Sequence, residues 1–106
     1  FRIAFIGAGS IEFTRKLVAD LLTVPEFAAV ELAFTDIDAG QLAMVAELCR
    51  RDIAHNRLSA RVVETTDRRA ALAGARYVFC VVRVGGLEAF RTDIDIPLRY
   101  GVDQCV

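Results

Sequence analysis

Short apolar runs alternate with amphipathic stretches along the chain, and each pattern predicts one kind of element. The runs at 3–6, 30–35 and 76–82 are typical of strands in a sheet that is covered on both faces. A shorter strand is predicted at 61–65, near an edge. Apolar residues at spacings of three and four predict helices over 13–22, from the cap at 38 to about 57, over 67–73 and over 87–96. Strands and helices in this order predict an α/β fold with a parallel sheet.

The ends of the helices carry further signals. Pro25 is expected to end the first helix, and Asp38 to cap the second, with Gln41 reaching back to complete a capping box. Thr66 is expected to cap the third helix and Gly74 to close it. The strand at 76–82 is predicted to be the central, buried one. The predicted buried stripes are Phe13, Leu17, Val18, Leu21 and Leu22 in the first helix, and Leu42, Val45, Ala46, Cys49 and Ile53 in the second.

A glycine turn after the first strand suggests a function. Gly7 allows a tight turn at backbone angles that a Cβ would oppose, and Gly9 lets the main chain approach a pyrophosphate closely. Ser10 adds a hydroxyl donor, and the helix that begins near Ile11 points its unpaired N–H groups at the same place. Asp36, at the tip of the second strand, can accept hydrogen bonds from both hydroxyls of an adenosine ribose. This order of elements predicts a Rossmann-type doubly wound parallel sheet that binds a dinucleotide.

The acid also predicts which dinucleotide. A carboxylate would repel a 2′-phosphate at about 4 Å by roughly 1 to 4 kcal/mol, which favours NAD over NADP. We assign Asp36 to the ribose and Asp38 to the helix cap. The motif departs from the usual pattern, because Glu12 stands where a third glycine is common and Asp36 follows Gly7 at a longer interval. The loop at 82–86 is the second place where we expect cofactor contacts, since strand tips converge there. Purely structural glycine turns at both places stay open as alternatives.

Composition narrows the function classes. The net charge of −1 gives no electrostatic reason to expect nucleic acid or an anionic membrane as a partner. No apolar run approaches the roughly 20 residues of a membrane span. Cys49, Cys80 and Cys105 have no C-x-x-C spacing and are expected to be reduced, buried residues of a cytoplasmic protein. Because 106 residues fall short of a complete six-stranded fold, we expect 1–106 to be the N-terminal portion of a NAD-binding Rossmann domain, truncated after about the fourth strand and following helix.

Five segments together resemble one family of enzymes. They are 3–10 (IAFIGAGS), 34–38 (FTDID), 65–69 (TTDRR), 83–89 (RVGGLEA) and 96–102 (IPLRYGV). This pattern resembles the N-terminal segment of the family 4 glycoside hydrolases over the whole chain. The resemblance implies a glycosidase that uses NAD and a divalent metal, usually manganese, in a redox-assisted elimination and addition instead of the two-carboxylate scheme. In that family NAD takes a hydride from C3 of the sugar, a tyrosine base removes the C2 proton, and the hydride returns.

The resemblance also implies roles for single residues. Gly7, Gly9 and Ser10 would hold the pyrophosphate, Asp36 the adenosine ribose, and Val82 with Arg83 the loop beside the nicotinamide ribose. The family's metal-binding cysteine and histidine and its tyrosine base lie beyond Val106, so this segment is expected to bind cofactor without hydrolysing anything alone. Phe90 stands where the phospho-sugar branch tends to have an arginine. This favours the branch that acts on unphosphorylated sugars, the α-galactosidase-like members.

The expected partners are a small-molecule glycoside and, in the full-length parent, further copies of the chain in a homo-oligomer. Neither nucleic acid nor a membrane is expected. One rival is a lactate- or malate-type 2-hydroxyacid dehydrogenase, in which Arg83 or Arg91 would belong to a mobile loop after the fourth strand. Another is a non-catalytic NAD-binding module. A cysteine and histidine metal pair downstream would favour the glycosidase, whereas a histidine and aspartate pair without metal would favour the dehydrogenase.

Overall fold

Strands and helices alternate along the computed structural model, which describes residues 1–104. The elements are β1 (Arg2–Ile6), α1 (Ile11–Leu21), a 3₁₀ turn (Pro25–Phe27), β2 (Glu31–Thr35), α2 (Ala39–His55), β3 (Arg61–Glu64), α3 (Arg68–Leu72), β4 (Ala75–Cys80) and α4 (Gly86–Leu98). Each predicted strand and helix is present, with ends shifted by up to a few residues. Of the three cysteines predicted to be buried, Cys49 is buried, whereas Cys80 is exposed because β4 lies at the edge of the described sheet. Cys105 lies outside the described residues.

The four strands form one parallel sheet in the order β3-β2-β1-β4. From β1 the chain moves outward to β2 and β3, and then returns to place β4 on the other side of β1. This reversal confirms the predicted Rossmann-type, doubly wound α/β fold, with β3 at an edge as expected. In such a sheet a crevice opens at the carboxyl ends of the strands where the order reverses, here between β1 and β4.

The core lies on the face of the sheet that α1 and α2 cover. Phe5 is fully buried there, edge-on to Phe34 with ring centroids 5.3 Å apart, and stacked on Phe79 at 5.0 Å. The stripe predicted for α2 is confirmed, because all five of its members are buried: Leu42, Val45, Ala46, Cys49 and Ile53. The spacing of apolar residues was sufficient in α2 because the helix is long and its apolar face meets the sheet along its length.

The stripe predicted for α1 was wrong at one position. Phe13 is 51% exposed, and Thr14 is buried in its place. The reason is a hydrogen bond that Thr14 Oγ1 donates to the carbonyl of Ala8 at 3.1 Å, which satisfies the hydroxyl inside the core. The helix also ends at Leu21, before Pro25, which opens the 3₁₀ turn.

The opposite face of the sheet is covered by α3. The small side chains of Ala4 and Ala33 point toward this face, and Ala71 of α3 is buried there. Asp67, and not Thr66 as predicted, caps the helix, because its side chain accepts a hydrogen bond from the Arg69 N–H at 2.9 Å. Gly74 follows with φ +72°, which confirms that it closes the helix.

Arg2 joins three elements at the amino end of the sheet. Its guanidinium donates to Glu31 at 2.5 Å and to the carbonyls of Ala70 and Ala73 at 3.1 and 2.8 Å. Glu31 also pairs with Arg61 at 2.7 Å. The hydrogen bond from Arg2 holds the pKa of Glu31 below its ordinary value, and the nearby charge of both arginines lowers it further. This network ties β1, β2, β3 and α3 together at the end away from the strand tips.

The strand β4 is not the central, buried strand that the sequence predicts. It lies at the edge of the described sheet, and Tyr77 and Val78 are about half exposed. The helix α4 buries none of its residues, and Leu87 is 85% exposed. The apolar run at 76–82 shows that β4 is suited to burial. Its burial also requires neighbouring elements, and within residues 1–104 no strand pairs with the outer edge of β4. Within the same range, no helix has the length and apolar character needed to cross a membrane.

Candidate functional site

A cavity of about 460 Å³ lies at the carboxyl ends of the strands. It is bordered by the tips of β1 and β2, by the loop after β4 and by the turn that leads into α3. This is the place where a doubly wound sheet binds its ligand. The lining residues are Ile6, Gly7, Thr35, Asp36, Ile37, Thr66, Arg68, Val81, Val82, Arg83, Val84 and Gly85. The predicted site residues Gly7, Asp36, Val82 and Arg83 are therefore brought together.

The glycine bend is wedged between two strand tips. The N–H groups of Gly7 and Ala8 both donate to the carbonyl of Thr35, at 2.9 and 3.0 Å. Gly7 has φ +83°, and a Cβ built on it would lie 2.2 Å from the carbonyl oxygen of Val81. Both the backbone angle and the lack of space therefore require glycine at this position.

The carboxylate of Asp36 is turned toward the bend. Its Oδ2 accepts a hydrogen bond from the Gly9 N–H at 2.7 Å, and its Oδ1 accepts one from the Asp38 N–H at 3.1 Å. An ionised carboxylate offers about four lone-pair sites, so both oxygens can accept further hydrogen bonds. The side chain is thus fixed in orientation and still able to bind hydroxyl groups.

Gly9 permits this approach of the carboxylate. A Cβ at Gly9 would lie 2.8 Å from Asp36 Oδ2, closer than real Cβ contacts. The sequence predicts that Gly9 clears space for a pyrophosphate, and the structure adds that it clears space for Asp36. The bend and the acid therefore form one hydrogen-bonded unit.

The start of α1 follows the glycine bend, but the predicted site residues Gly9, Ser10 and Ile11 do not line the cavity. Ser10 is the N-cap residue, with extended backbone angles, and its hydroxyl makes no capping hydrogen bond within the described chain. Ile11 is the first residue of α1, and its side chain is 40% exposed and lies outside the cavity lining. The first N–H groups of a helix have no partner inside it, so this end can donate to an anion.

The two acids after β2 make different contacts. Asp38 caps α2, because its Oδ1 accepts a hydrogen bond from the Gln41 N–H at 2.9 Å. In a capping box the Gln41 side chain would accept from the Asp38 N–H, but Asp36 accepts that bond here. The cap role of Asp38 is confirmed, and the reciprocal half of the predicted box is replaced by Asp36.

The loop after β4 forms the far wall of the cavity. Val82 and Arg83 are exposed there, and Gly85 turns the chain into α4 with φ +86°. The guanidinium of Arg83 lies over the ring of Phe90, 4.5 Å from its centroid, which is a cation–π contact. The loop therefore offers one cation and exposed backbone groups to a ligand.

Sequence reasoning missed the contribution of the turn after β3. Thr66 and Arg68 line the cavity, as does Ile37 next to Asp36. The segment at 65–69 was notable in the sequence only for its resemblance and for a helix cap. The rule that tips of parallel strands converge could have pointed to it, because β3 pairs with β2.

No cluster of metal-ligating side chains is present within residues 1–104. No three His, Cys, Asp or Glu side chains are grouped there closely enough to hold a metal ion. His55 is exposed at the end of α2. Burial raises the pKa of the Cys49 thiol to about 11, so this cysteine is neither a ready nucleophile nor a ready metal ligand.

Comparison with known proteins agrees with this geometry. Residues 2–106 match the model of the family described as family 4 glycosyl hydrolase. An α-galactosidase from Rhizobium meliloti (strain 1021) is 58% identical over 106 residues, which are 100% of this chain and 22% of that protein. An α-glucosidase from Erwinia rhapontici is 33% identical over 104 residues, which are 97% of this chain and 23% of that protein.

A solved structure is also similar. The 6-phospho-β-glucosidase from Thermotoga maritima, in a form with manganese, NAD⁺ and glucose-6-phosphate, superposes with a TM-score of 0.80 at 34% identity. The match covers 97% of this chain and 25% of that one. The chain thus spans about a quarter or less of the length of these relatives.

Proposed function

This chain belongs to glycosyl hydrolase family 4, and we propose that it forms the NAD-binding part of a longer enzyme of that family. The observation that carries this proposal is the hydrogen bond between Gly9 N–H and Asp36 Oδ2, at the edge of the cavity between the strand tips. It places the bend suited to a pyrophosphate directly beside the acid suited to a ribose.

Each end of the cofactor has matching groups. The N–H groups at the start of α1, with the hydroxyl of Ser10, would receive the pyrophosphate. Asp36 would accept hydrogen bonds from the two hydroxyls of the adenosine ribose, and its charge would disfavour a 2′-phosphate. Val82 and Arg83, across the cavity, would lie beside the nicotinamide ribose. Ile11 would contribute its backbone N–H, because its side chain lies outside the cavity.

In the enzyme, bound NAD would supply a reversible hydride acceptor for a redox-assisted cleavage of a glycosidic bond. This chain would hold the cofactor, while the divalent metal, the base and most of the sugar site would come from the remainder of the parent protein. Two findings support this division. The chain covers about a quarter of its relatives, and the apolar side chains of Val84 and Leu87 are each 85% exposed.

We further propose that the substrate is an unphosphorylated α-galactoside. An arginine at position 90 could bind a sugar phosphate with two hydrogen bonds. Phe90 is apolar and cannot do so, and its ring is already in contact with the guanidinium of Arg83. The relative from Rhizobium meliloti, at 58% identity, is an α-galactosidase. Hydrolysis of an α-galactoside compared with its 6-phosphate by the full-length enzyme tests this assignment.

Titration calorimetry of the full-length enzyme with NAD and NADP tests the cofactor site. We expect the unaltered enzyme to bind NAD at least about tenfold more tightly than NADP. Asp36→Ala should weaken NAD binding by about tenfold or more, because hydrogen bonds from the ribose to a charged acceptor are lost.

The matched control is Asp38→Ala. It removes a neighbouring carboxylate that caps α2, so it should lower stability while NAD affinity stays unchanged. Equal NAD affinity in Asp36→Ala and the unaltered enzyme would contradict the ribose role. Activity on the sugar without any NAD binding would contradict the proposal as a whole.

A further inference from the structure

Among the residues that the structure describes, Arg68 has no ionic partner, and it lies at the wall of the cavity. Six other arginines form ion pairs within residues 1–104, namely Arg2, Arg15, Arg50, Arg51, Arg61 and Arg91. Arg83, which also lines the cavity, lies against Phe90. Arg68 lines the cavity but takes part in none of these described contacts, so its guanidinium is available to a ligand.

Hydrogen bonds in the turn after β3 fix the backbone position of Arg68. The Thr65 N–H donates to the carbonyl of Phe34 at 3.0 Å, and the Asp67 N–H donates to Thr65 Oγ1 at 3.1 Å. The side chain of Asp67 then accepts from the Arg69 N–H at 2.9 Å. These consecutive bonds run from the tip of β3 into α3, whose first residue is Arg68. The backbone at Arg68 is therefore held by its neighbours on both sides.

The chemistry around Arg68 suits the adenosine end of a dinucleotide. The cavity offers the Asp36 carboxylate, and beside it Ile37, whose side chain is fully exposed. A planar guanidinium stacks on aromatic faces, and it also binds phosphate bidentately. An adenine base could cover Ile37 and lie against Arg68, with its ribose hydroxyls on Asp36.

We propose that Arg68 is a second determinant of nucleotide choice, which contacts the adenosine end of NAD and binds a 2′-phosphate when the charge of Asp36 is removed. This inference rests on the proposed NAD site. The two residues act with opposite sign on a 2′-phosphate, since a carboxylate repels it and a guanidinium attracts it. The balance therefore favours NAD while Asp36 is charged, and Arg68 would favour NADP once that charge is removed.

Titration calorimetry of the full-length enzyme with NAD and NADP tests this inference. Arg68→Ala should weaken NAD binding about two- to fivefold, as expected for one exposed stacking contact. Asp36→Asn keeps an acceptor for the Gly9 N–H while it removes the charge, and it should strengthen NADP binding about tenfold or more. Adding Arg68→Ala to Asp36→Asn should reduce the NADP gain to the part that comes from removing the repulsion of Asp36.

Two controls separate the role of Arg68 from a general change in charge or stability. Arg69→Ala removes the adjacent arginine, which does not line the cavity, and should leave both affinities unchanged. Arg68→Lys in the Asp36→Asn background retains the charge and should keep most of the NADP gain. This conservative variant also keeps the test valid if Arg68→Ala does not fold.

The outcomes distinguish this inference from the proposed function. If the unaltered enzyme binds neither nucleotide, the proposed function fails. If it binds NAD, but Arg68→Ala and Arg69→Ala have the same NAD affinity, Arg68 does not contact the cofactor. An NADP affinity of Asp36→Asn that does not fall when Arg68→Ala is added would likewise overturn the inference.

Discussion

The two sides of β1 differ in how completely they are packed. On one side, β2 and the helices α1 and α2 enclose a core in which Phe5 and Phe34 are fully buried. On the other side, β4 and α4 leave apolar side chains open to solvent, with Leu87 85% exposed. The closed side can hold its shape through its own contacts. On the open side, β4 and α4 carry apolar side chains that are typical of buried elements, but no element within residues 1–104 covers them.

The cavity lies across the seam between these two sides. The closed side supplies Asp36, which is bonded to Gly9 and Asp38. The open side supplies the loop with Val82 and Arg83. The half of the site that we propose for adenosine is therefore fixed by hydrogen bonds within the described chain, whereas the half that we propose for nicotinamide lies on an exposed loop. Substitutions on each side of β1, and in the glycine bend between the two sides, test this comparison.

The largest difference is expected between matched truncations on the two sides. Phe34→Ala should lower the free energy of unfolding by about 3–5 kcal/mol, because it leaves a cavity in a closed core. Leu87→Ala should change it by less than about 0.5 kcal/mol, because the side chain is already in solvent. Urea denaturation monitored by circular dichroism measures both. Comparable losses would show that α4 is packed in solution.

A substitution at the seam should have an intermediate effect. Gly7→Ala is expected to cost at least about 2 kcal/mol, because φ is +83° and the new Cβ would meet the carbonyl of Val81. Gly74→Ala is the matched control, since φ there is +72° but no atom lies within 4 Å of the new Cβ. Its cost should be about 1 kcal/mol, from the backbone angle alone. Equal losses in the two variants would argue against close contact between the bend and β4.

The smallest effect concerns acid stability on the closed side. Because arginines lower the pKa of folded Glu31, its contribution is present above the unfolded value near 4.5 and is lost as the pH falls through the lowered folded value. Glu31→Gln should therefore cost about 1 kcal/mol at pH 7 and almost nothing at the lowest pH. Denaturant midpoints across this pH range measure the difference.

The control is Glu12→Gln, which breaks the fully exposed pair with Lys16. The pKa of Glu12 is lowered too, by its hydrogen bond with Lys16, but solvent screens this pair. A loss at Glu12 as large as that at Glu31 would show that partial burial adds nothing to the Arg2 network.

The sequence predicted the features that depend on local spacing. The buried stripe of α2, the cap by Asp38 and the order of the elements follow from periodicity and from side chains that bond within a few residues. Thr14 was missed because its place in the core depends on the carbonyl of Ala8, which only the folded bend presents. The burial of β4 was overestimated because burial depends on neighbours, and apolar character alone does not supply them.

The candidate site divides in the same way. Gly7 and Asp36 could be found because a glycine bend and an acid at a strand tip form a recognised motif. Arg68 could not be singled out from an arginine pair at 68–69, since the choice between the two depends on how the turn after β3 enters α3. Side chains brought in by a neighbouring strand carry no signature of their own in the sequence.

The contact between Gly9 and Asp36 has a consequence for attempts to re-engineer nucleotide preference. The carboxylate that we propose to set this preference also anchors the backbone of the glycine bend, through the Gly9 N–H. Exchanging Asp36 for a small neutral residue would therefore loosen the grip on the diphosphate that NAD and NADP share. A useful redesign has to preserve an acceptor for that amide, and Gly9 must stay without a side chain to leave room for it.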